Sequence, residues 1–277
     1  MALPEFVYSP PLCSWHAVAP APAFYSWRRV FPFLEPLLAF RGAILEEALA
    51  VGRSGGGSGA SSSSGDTTTT GSSSSSSCGA AAAAAPASGG RWFDWPETTL
   101  YDAAGGASWR VLPFCHTFPA SDASKTAWLA PAAAACPQTA ALLRRIPGLR
   151  TALFSRMGPG TVLEPHAGWA DLSNHVLRVH MPLLVPGEEE AAAAAAAGGG
   201  GGGARSCGVA VGEEVHFHRT GEFIVFDDSK MHSAFNSHAT GERLVLIFDL
   251  ARPPGLPPGQ ATGATTDELQ GFINYFK

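Results

Sequence analysis

The apolar residues of this chain follow two different periods in its two halves. Over residues 33–51 they recur every three or four positions, the spacing that places side chains on one face of a helix. A shorter stretch with the same period covers 136–146 and stops at the Pro-Gly pair at 147–148. These stretches predict two amphipathic helices, each with one face buried against other structure.

Beyond residue 149 the pattern is almost entirely that of β-strands. Short apolar or alternating runs are separated there by Gly, Pro and Asn, residues that favour turns. The alternation predicts strands at 150–157, 161–164, 175–185, 207–211, 214–218, 222–226 and 243–250. Two more short strands are expected around the glycine pair at 105–106. Many short strands favour a mainly β fold, an antiparallel jelly roll or double-stranded β-helix, cupin-like, with a few supporting helices.

Two tracts have few side chains to contribute to a core. Residues 52–90 are mostly Ser, Gly, Thr and Ala, and residues 188–204 are Glu, Ala and Gly. Their composition predicts two disordered insertions, the second a long loop between two strands. The remainder, about 220 residues, suits a single domain. We place that domain at 33–277, behind an extended segment at 1–32 that is rich in Pro and aromatic residues.

Charge, cysteine content and hydropathy exclude several kinds of protein. The formal net charge of the 277 residues is −5 and the 18 basic residues form no patch, so nucleic acid is not an expected partner. Five cysteines without a CxxC pair predict neither a disulfide framework nor a zinc knuckle. No apolar run is of membrane-spanning length. Without a recognisable secretory signal we expect a cytoplasmic protein, with an organellar transit peptide as the alternative.

The predicted strand at 175–185 carries the first candidate chemistry. Because side chains alternate across a sheet, Arg178 and His180 share one face with Val176, and the apolar residues between them share the other. The strand at 243–250 repeats this arrangement with Arg243. Two arginines inside one small barrel suggest a ligand with two carboxylates, because guanidinium groups bind carboxylates in a bidentate manner. The alternative is that each arginine pairs with an internal acid: Asp227, Asp228 or Asp249.

Two further histidines, His166 and His232, each follow a turn at the end of a predicted strand. Imidazole is a good ligand for divalent iron. A triad of two histidines and one carboxylate would place the acid two residues after the first histidine, where this chain has Gly168. Spacing alone therefore leaves open whether these histidines bind a metal or are ordinary core or surface residues.

Five segments, in order along the chain, carry a resemblance to a known family. They are FSRMGPGTVLEPHAG, LRVHMPLLVP, CGVAVGEEVHF, FIVFDDSKMHSAFN and RLVLIFDLARP. Together they resemble the aspartyl/asparaginyl β-hydroxylase family of Fe(II)- and 2-oxoglutarate-dependent oxygenases, closely over 150–253 and more loosely upstream. The combination of FDDS-x-x-H with H-x-G and LR-x-H is specific to that family.

For the metal, the resemblance implies that His166 and His232 are the iron ligands. Family members have glycine in place of the triad carboxylate, so Gly168 is expected, with water at the vacant position. Asp171 is an alternative donor for that position, although it is five residues from His166. The aspartate pair at 227–228 would either hydrogen-bond a ligand histidine or cap the turn.

For the co-substrate, the resemblance implies that 2-oxoglutarate is bound by four residues. Arg243 with Ser155 would hold the distal carboxylate, and Arg178 with His180 would hold the end that chelates iron. The implied reaction consumes O2, converts 2-oxoglutarate to succinate and carbon dioxide, and hydroxylates a substrate C–H bond.

The substrate is less well indicated than the reaction. Family members that hydroxylate peptidyl Asp or Asn resemble one another in a further arginine two residues before Arg178, and this chain has Val176 there. An apolar residue cannot pair with a carboxylate. The substrate therefore stays open between a peptidyl Asp- or Asn-like group, a small molecule and a lipid-like molecule. Alternatives of other classes are an inactive jelly-roll binding module and a zinc or nickel isomerase of the cupin type.

Four further histidines are predicted to have no part in the site. His216 and His218 share a face of a predicted strand but lack a third ligand at matching spacing, so both are predicted to be solvated. His175 and His238 are in predicted turns and are assigned no role.

Overall fold

The computed structural model describes residues 3–6, 21–54, 91–197, 205–263, 269, 271 and 273–276. Residues 55–90 of the first predicted insertion, 198–204 of the second, and 1–2 and 7–20 of the predicted extended N-terminal segment lie outside these described residues. Within them, no helix combines the length and the hydropathy needed to cross a membrane.

The described residues form eleven strands and six α-helices, with three short 3-10 helices. The strands are β1 (Phe24–Tyr25), β2 (Phe93–Asp94), β3 (Trp109–Thr117), β4 (Thr126–Trp128), β5 (Leu149–Met157), β6 (Val176–Leu184), β7 (Cys207–Val211), β8 (Glu214–Phe217), β9 (Ile224–Phe226), β10 (His232–Asn236) and β11 (Arg243–Ala251). The α-helices are α1 (Trp27–Val30), α2 (Arg41–Ser54), α3 (Ala130–Ala135), α4 (Pro137–Leu143), α5 (Ala170–Ser173) and α6 (Glu188–Ala196). The 3-10 helices are Pro32–Phe40, Thr98–Leu100 and Ala123–Lys125.

The strands form two antiparallel sheets. The larger sheet has the order β1-β9-β6-β11-β5-β3-β2, with β4 paired to β3, and the smaller has the order β10-β7-β8. The named strand pairs are antiparallel throughout. Two antiparallel sheets with few helices between the strands are the predicted jelly roll, so the fold-class prediction is confirmed.

The central strand β6 separates two environments. Leu177, Val179 and Met181 are buried in the large apolar core, which also takes in the buried face of α2. Arg178 and His180 point the other way, into a cavity lined by strands of both sheets. The alternation predicted for this strand is therefore confirmed, and it is what places charged side chains between the sheets.

The predicted helix at 33–51 is present in two parts, the 3-10 helix at Pro32–Phe40 and then α2. Pro36 lies inside the first part and has no N–H for a helical hydrogen bond, which favours the break between the parts. Because α2 continues to Ser54, residues 52–54 of the first predicted insertion are helical. The second helix is shorter than predicted, with α4 preceded by α3.

Two stretches have more regular structure than the sequence predicted. The tract at 188–204 begins with α6 rather than a loop, because alanine is the best helix former and three glutamates in the first turn favour the positive helix N-terminus. The segment at 1–32 contains β1 and α1.

One predicted strand is absent, and one observed strand was not predicted. Residues 161–164 form no strand, and Val162 makes only an isolated bridge to Phe235. The strand β10 was missed because its sequence, HSAFN, includes residues of low strand propensity.

Candidate active site

One small cavity between the sheets brings the predicted site residues together. Its volume is about 40 Å³ and its lining includes all six of them: Ser155, His166, Arg178, His180, His232 and Arg243. They come from β5, β6, β10, β11 and the segment that follows β5. We call this space the inner cavity.

His166 and His232 face each other across an isolated antiparallel bridge. The backbone N–H of each donates to the carbonyl of the other, at 2.9 and 2.8 Å, and the ring centroids are 4.4 Å apart. The Nδ1 atom of His166 lies 2.7 Å from the Glu164 carbonyl oxygen, and that of His232 lies 2.8 Å from the Lys230 carbonyl oxygen. A carbonyl only accepts, so each Nδ1 carries the proton and each Nε2 keeps a lone pair suited to a metal. Burial lowers the pKa of His232 to about 3, so its ring is neutral at pH 7.

The position from which a triad carboxylate would project is closed by neighbouring side chains. A Cβ atom at Gly168 would collide with Oδ2 of Asp228 and lie 2.8 Å from Cβ of Ser173. Asp228 itself stands beside the histidines, with Oδ1 3.3 Å from Nε2 of His232. Among the described residues, no three His, Cys, Asp or Glu side chains are arranged as a metal site, and Asp171 in α5 joins no such group. The arrangement is thus a histidine pair with one adjacent carboxylate.

Asp227 and Asp228 have different surroundings. Asp227 accepts hydrogen bonds from the N–H and the hydroxyl of Ser229, at 3.1 and 2.6 Å, and pairs with Arg252. It therefore caps the turn, whereas Asp228 contacts a histidine of the pair. The turn-capping role left open by the sequence therefore applies to Asp227, and a hydrogen bond from a ligand histidine to Asp228 stays a prediction.

Arg178 is paired with acids on two sides. Its Nη1 lies 2.5 Å from Oδ1 of Asp228, and its Nε and Nη2 donate to Asp249 at 2.9 and 3.0 Å. Burial lowers the pKa of Arg178, but the two carboxylates more than offset this, so its pKa is raised. The internal pairing considered for both arginines is therefore present for Arg178. Its contact with a co-substrate stays a prediction.

Arg243 has no comparable partner. It is 1% exposed, and its Nη2 donates to Oγ of Ser155 at 2.8 Å. Its Nε and Nη1 are buried and have no hydrogen-bond partner among the described residues. Burial lowers the pKa of Arg243 to about 10, so the group is still charged at neutral pH. A buried cation without an anion is costly, and these donors fit a carboxylate.

The hydroxyl of Ser155 lies beside Arg243 and is oriented by two hydrogen bonds that it accepts. Its Oγ accepts from Nη2 of Arg243 and also, at 3.0 Å, from Nε1 of Trp109. Two accepted bonds occupy both lone pairs, which leaves the O–H to donate. Ser155 and Arg243 together therefore present hydrogen-bond donors into the inner cavity.

His218 was predicted to be solvated, and this prediction is wrong. The residue is 0% exposed, and its Nε2 lies 3.1 Å from Nδ1 of His180. Burial lowers the pKa of both rings well below the ordinary value, His218 adds to the effect on His180, and Arg243 lowers both further. Both rings are therefore neutral, and one donates to the other. His216, by contrast, is on the surface and stacks on Phe24 at 3.8 Å.

The misplacement of His218 has a local cause. The strand β8 ends at Phe217, so strict alternation no longer places His218 on the face of His216. Its N–H donates to the Cys207 carbonyl at 2.9 Å, which holds the ring under β7. The change from a strand pattern to turn-forming residues within HFHRTG was the sequence signal that alternation ends before His218.

A second cavity of about 120 Å³, which we call the outer cavity, adjoins the inner one. The two share four lining residues: Trp109, His166, Arg178 and Ile247. The outer cavity also contacts Gly168 and Asp228, so it leads to the histidine pair. A molecule in the outer cavity would lie next to whatever the histidines bind.

Fold and site together define a class of protein: a jelly roll whose interior brings a facing pair of histidines close to a buried arginine that has no acidic partner among the described residues. The sequence profile of the aspartyl/asparaginyl beta-hydroxylase family matches residues 57–253. The chain belongs to this family, as the resemblance implied.

Several known proteins are similar to this chain. One is an ornithine lipid ester-linked acyl 2-hydroxylase of Rhizobium tropici, 35% identical over 119 residues, which cover 43% of this chain and 36% of that protein. Another is aspartate beta-hydroxylase domain-containing protein 2 of Xenopus tropicalis, 30% identical over 129 residues, covering 43% and 28%. The chain spans about a third of the length of these relatives. A solved oxidoreductase of the 2OG-Fe(II) oxygenase family from Burkholderia pseudomallei is 15% identical, covering 54% of this chain and 71% of that one, with a TM-score of 0.34.

Proposed function

We propose that this protein is an Fe(II)- and 2-oxoglutarate-dependent dioxygenase that hydroxylates a substrate C–H bond. The observation that carries the proposal is the buried guanidinium of Arg243, whose Nε and Nη1 have no hydrogen-bond partner among the described residues, in the same cavity as two histidines whose Nδ1 atoms contact backbone carbonyls. Membership of a hydroxylase family supports the reaction type.

His166 and His232 would hold the iron. Their Nδ1 atoms are committed to backbone carbonyls, so the Nε2 lone pairs are fixed in direction, and imidazole nitrogen suits divalent iron. Asp228 adds negative charge beside them, which favours a divalent cation, and Arg178 fixes the position of that carboxylate. When bound, iron and 2-oxoglutarate supply the oxidising chemistry that splits O2 between succinate and the product.

Arg243 and Ser155 would hold the distal carboxylate of 2-oxoglutarate through their unmatched donors. His180 and Arg178 would border the other end, His180 as a neutral ring and Arg178 as a guanidinium already tied to two acids. The inner cavity of about 40 Å³ holds little more than one or two water molecules. The co-substrate would therefore extend towards the histidines and into the outer cavity.

The other classes considered fit this site less well. A zinc or nickel isomerase of the cupin type gives Arg243 no anion to bind. An inactive binding module does not require two facing histidines whose Nδ1 atoms are held by backbone carbonyls. The name of the Rhizobium tropici relative makes an acyl chain a candidate substrate, alongside an Asp- or Asn-like group or another small molecule.

Anaerobic titration of the protein with Fe(II) and 2-oxoglutarate tests the proposal. We expect a visible charge-transfer band that needs both additions and is lost in His232→Ala. His216→Ala is the matched control, because that histidine lies on the surface and outside the cavity lining. A band that persists in His232→Ala, or succinate release without iron, would show that the assignment of the site is wrong.

A further inference from the structure

The outer cavity continues into a third cavity of about 80 Å³, which we call the distal cavity. The two share five lining residues: Trp95, Leu153, Trp169, Leu172 and Arg178. The distal cavity extends from this junction towards Cys115, Phe118 and Phe276. The two cavities thus lie in series, with the histidine pair at one end.

Aromatic and aliphatic groups form most of this path. The ring of Trp95 stacks on Trp109 at 4.3 Å and on Trp169 at 6.2 Å, and Phe118 meets Trp169 edge-on at 6.4 Å. Such packed rings make a rigid apolar wall. Burial raises the pKa of the Cys115 thiol to about 12, so this group is uncharged as well.

The charges along the path do not favour an acidic substrate. Arg178 is the only arginine or lysine among the described residues that line either cavity, and Asp228 and Asp249 already compensate it. Glu97 borders the outer cavity and accepts from Nε1 of Trp95 at 3.1 Å. A substrate carboxylate here would be buried beside an acid and without a free cation, which costs several kcal/mol.

Val176 extends the apolar surface next to Arg178. It is fully buried in a cluster with Ala120 and Leu172, against which Phe118 and Trp169 pack. The strand position that could have carried a cation for a substrate acid therefore supports the aromatic wall instead.

Resting on the proposed function, we propose that the substrate is an unbranched acyl or alkyl chain carried on an uncharged group. A methylene lies in the outer cavity beside His166 and Gly168, and the tail passes Leu153 into the distal cavity. An apolar cavity of about 150 Å³ holds a molecule the size of benzene, so the distal cavity of about 80 Å³, together with the part of the outer cavity that the co-substrate does not fill, has room for a few carbons. One oxygen atom of O2 enters a C–H bond of that methylene, and the other enters succinate as 2-oxoglutarate loses carbon dioxide.

Binding without iron or 2-oxoglutarate tests this inference separately from catalysis. The full chain is titrated with a homologous series of unbranched primary amides, followed by tryptophan fluorescence. We expect the affinity to rise about fourfold per methylene, then to level off when the tail reaches the end of the distal cavity. An amide brominated at its tail should quench Trp169, and Trp169→Phe should remove that part of the quenching. No dependence on chain length, or equal affinity for an aspartate-containing peptide, overturns the inference.

Leu153 provides a variant at the junction of the two cavities. Leu153→Trp should weaken the longer amides at least tenfold and leave the shortest unchanged, whereas Leu153→Met conserves volume and should match wild type. If Leu153→Trp does not fold, the dependence of amide affinity on chain length in the wild-type protein still tests the inference.

The iron titration and the amide series fail separately. If amide affinity depends on chain length but the charge-transfer band is absent, the acyl site is supported and the proposed dioxygenase activity is contradicted. If the band is present but amide affinity does not depend on chain length, the acyl substrate is contradicted. After incubation with iron, 2-oxoglutarate and O2, mass spectrometry should show that the amide has gained one oxygen atom. Succinate release with an unmodified amide would contradict the acyl substrate.

Discussion

Nη2 of Arg243 donates to Oγ of Ser155 at 2.8 Å, and the remaining donors of that guanidinium have no partner among the described residues. The pair joins β11 to β5, and Trp109 of β3 donates to the same oxygen. Three adjacent strands therefore fix the Ser155 hydroxyl and the Arg243 guanidinium in the inner cavity, and both groups can donate hydrogen bonds to an anion.

Replacing Arg243 by methionine should separate binding from stability. The apparent affinity for 2-oxoglutarate should fall by about 2–5 kcal/mol, because a charge-assisted pair is lost. The free energy of unfolding of the ligand-free protein should not fall, since an unpaired buried cation is removed. Isothermal titration and urea unfolding measure the two quantities, and unchanged 2-oxoglutarate affinity would contradict the assignment.

Gly168→Ala should damage the site through Asp228. The new methyl group collides with that carboxylate and crowds Ser173, so we expect a loss of about 1–3 kcal/mol in stability and weaker iron binding. Gly42→Ala is the control, because Gly42 lies in α2 with nothing within 4 Å of the added atom. That change should stabilise the helix by about 0.5–1 kcal/mol. Equal effects of the two substitutions in urea unfolding would refute the crowding argument.

Asp228→Asn and Asp227→Asn should differ in their effects on iron. Asp228 lies beside His232, so we expect its loss of charge to lower iron affinity by about 10-fold or more. Asp227 caps the turn and pairs with Arg252, so its change should lower stability more than metal affinity. Competition for iron with a chelator gives the first quantity and thermal unfolding gives the second. An equal loss of iron affinity in both variants would show that Asp228 affects the metal no more than Asp227 does.

The buried pair His180 and His218 predicts a pH dependence of stability. Burial lowers the folded-state pKa of both rings below the unfolded value of about 6.5, so below that pH the unfolded chain binds protons that the folded chain does not. The stabilising contribution is present above pH 6.5, roughly, and is lost as the pH falls.

Urea midpoints of the metal-free protein, measured from about pH 7.5 down to about 5.5, test this dependence. The stability of His218→Asn should fall less steeply than that of wild type, because one depressed histidine is gone. Buried Asp228 and Asp249 have raised pKa values, which act with the opposite sign, but both are retained in the variant. Identical slopes for the two proteins would rule out the contribution of His218.

The sequence predicted those parts of the fold that depend on local period. The alternation around Arg178 gave the correct faces of β6, and the three-to-four spacing located α2. Nothing local indicated that His166 would lie opposite His232, because that pairing depends on the register of a bridge between distant segments. Only the family resemblance brought them together in advance.

The sequence named the acids that could pair with a buried arginine, but it could not predict which arginine would have them. Both arginines have inward-facing strand positions, yet Arg178 pairs with Asp228 and Asp249, whereas Arg243 hydrogen-bonds Ser155 and pairs with no acid among the described residues. The difference depends on strand register and on the segment after β9, because Asp249 of β11 lies opposite Arg178 and Asp228 follows β9. The burial of His218 likewise depends on the path of the chain beyond β8, which ends at Phe217.

The reciprocal backbone hydrogen bonds between His166 and His232 have a consequence for metal supply. Under the proposed function, the main chain holds the two rings opposite each other before any cation binds, so metal loading would require no folding step. A ready-made pair of nitrogens discriminates poorly among first-row metals, and copper, nickel and zinc generally bind such donors more tightly than Fe(II). Which ion occupies the site therefore depends on the concentrations of free metals around the protein more than on the histidines themselves.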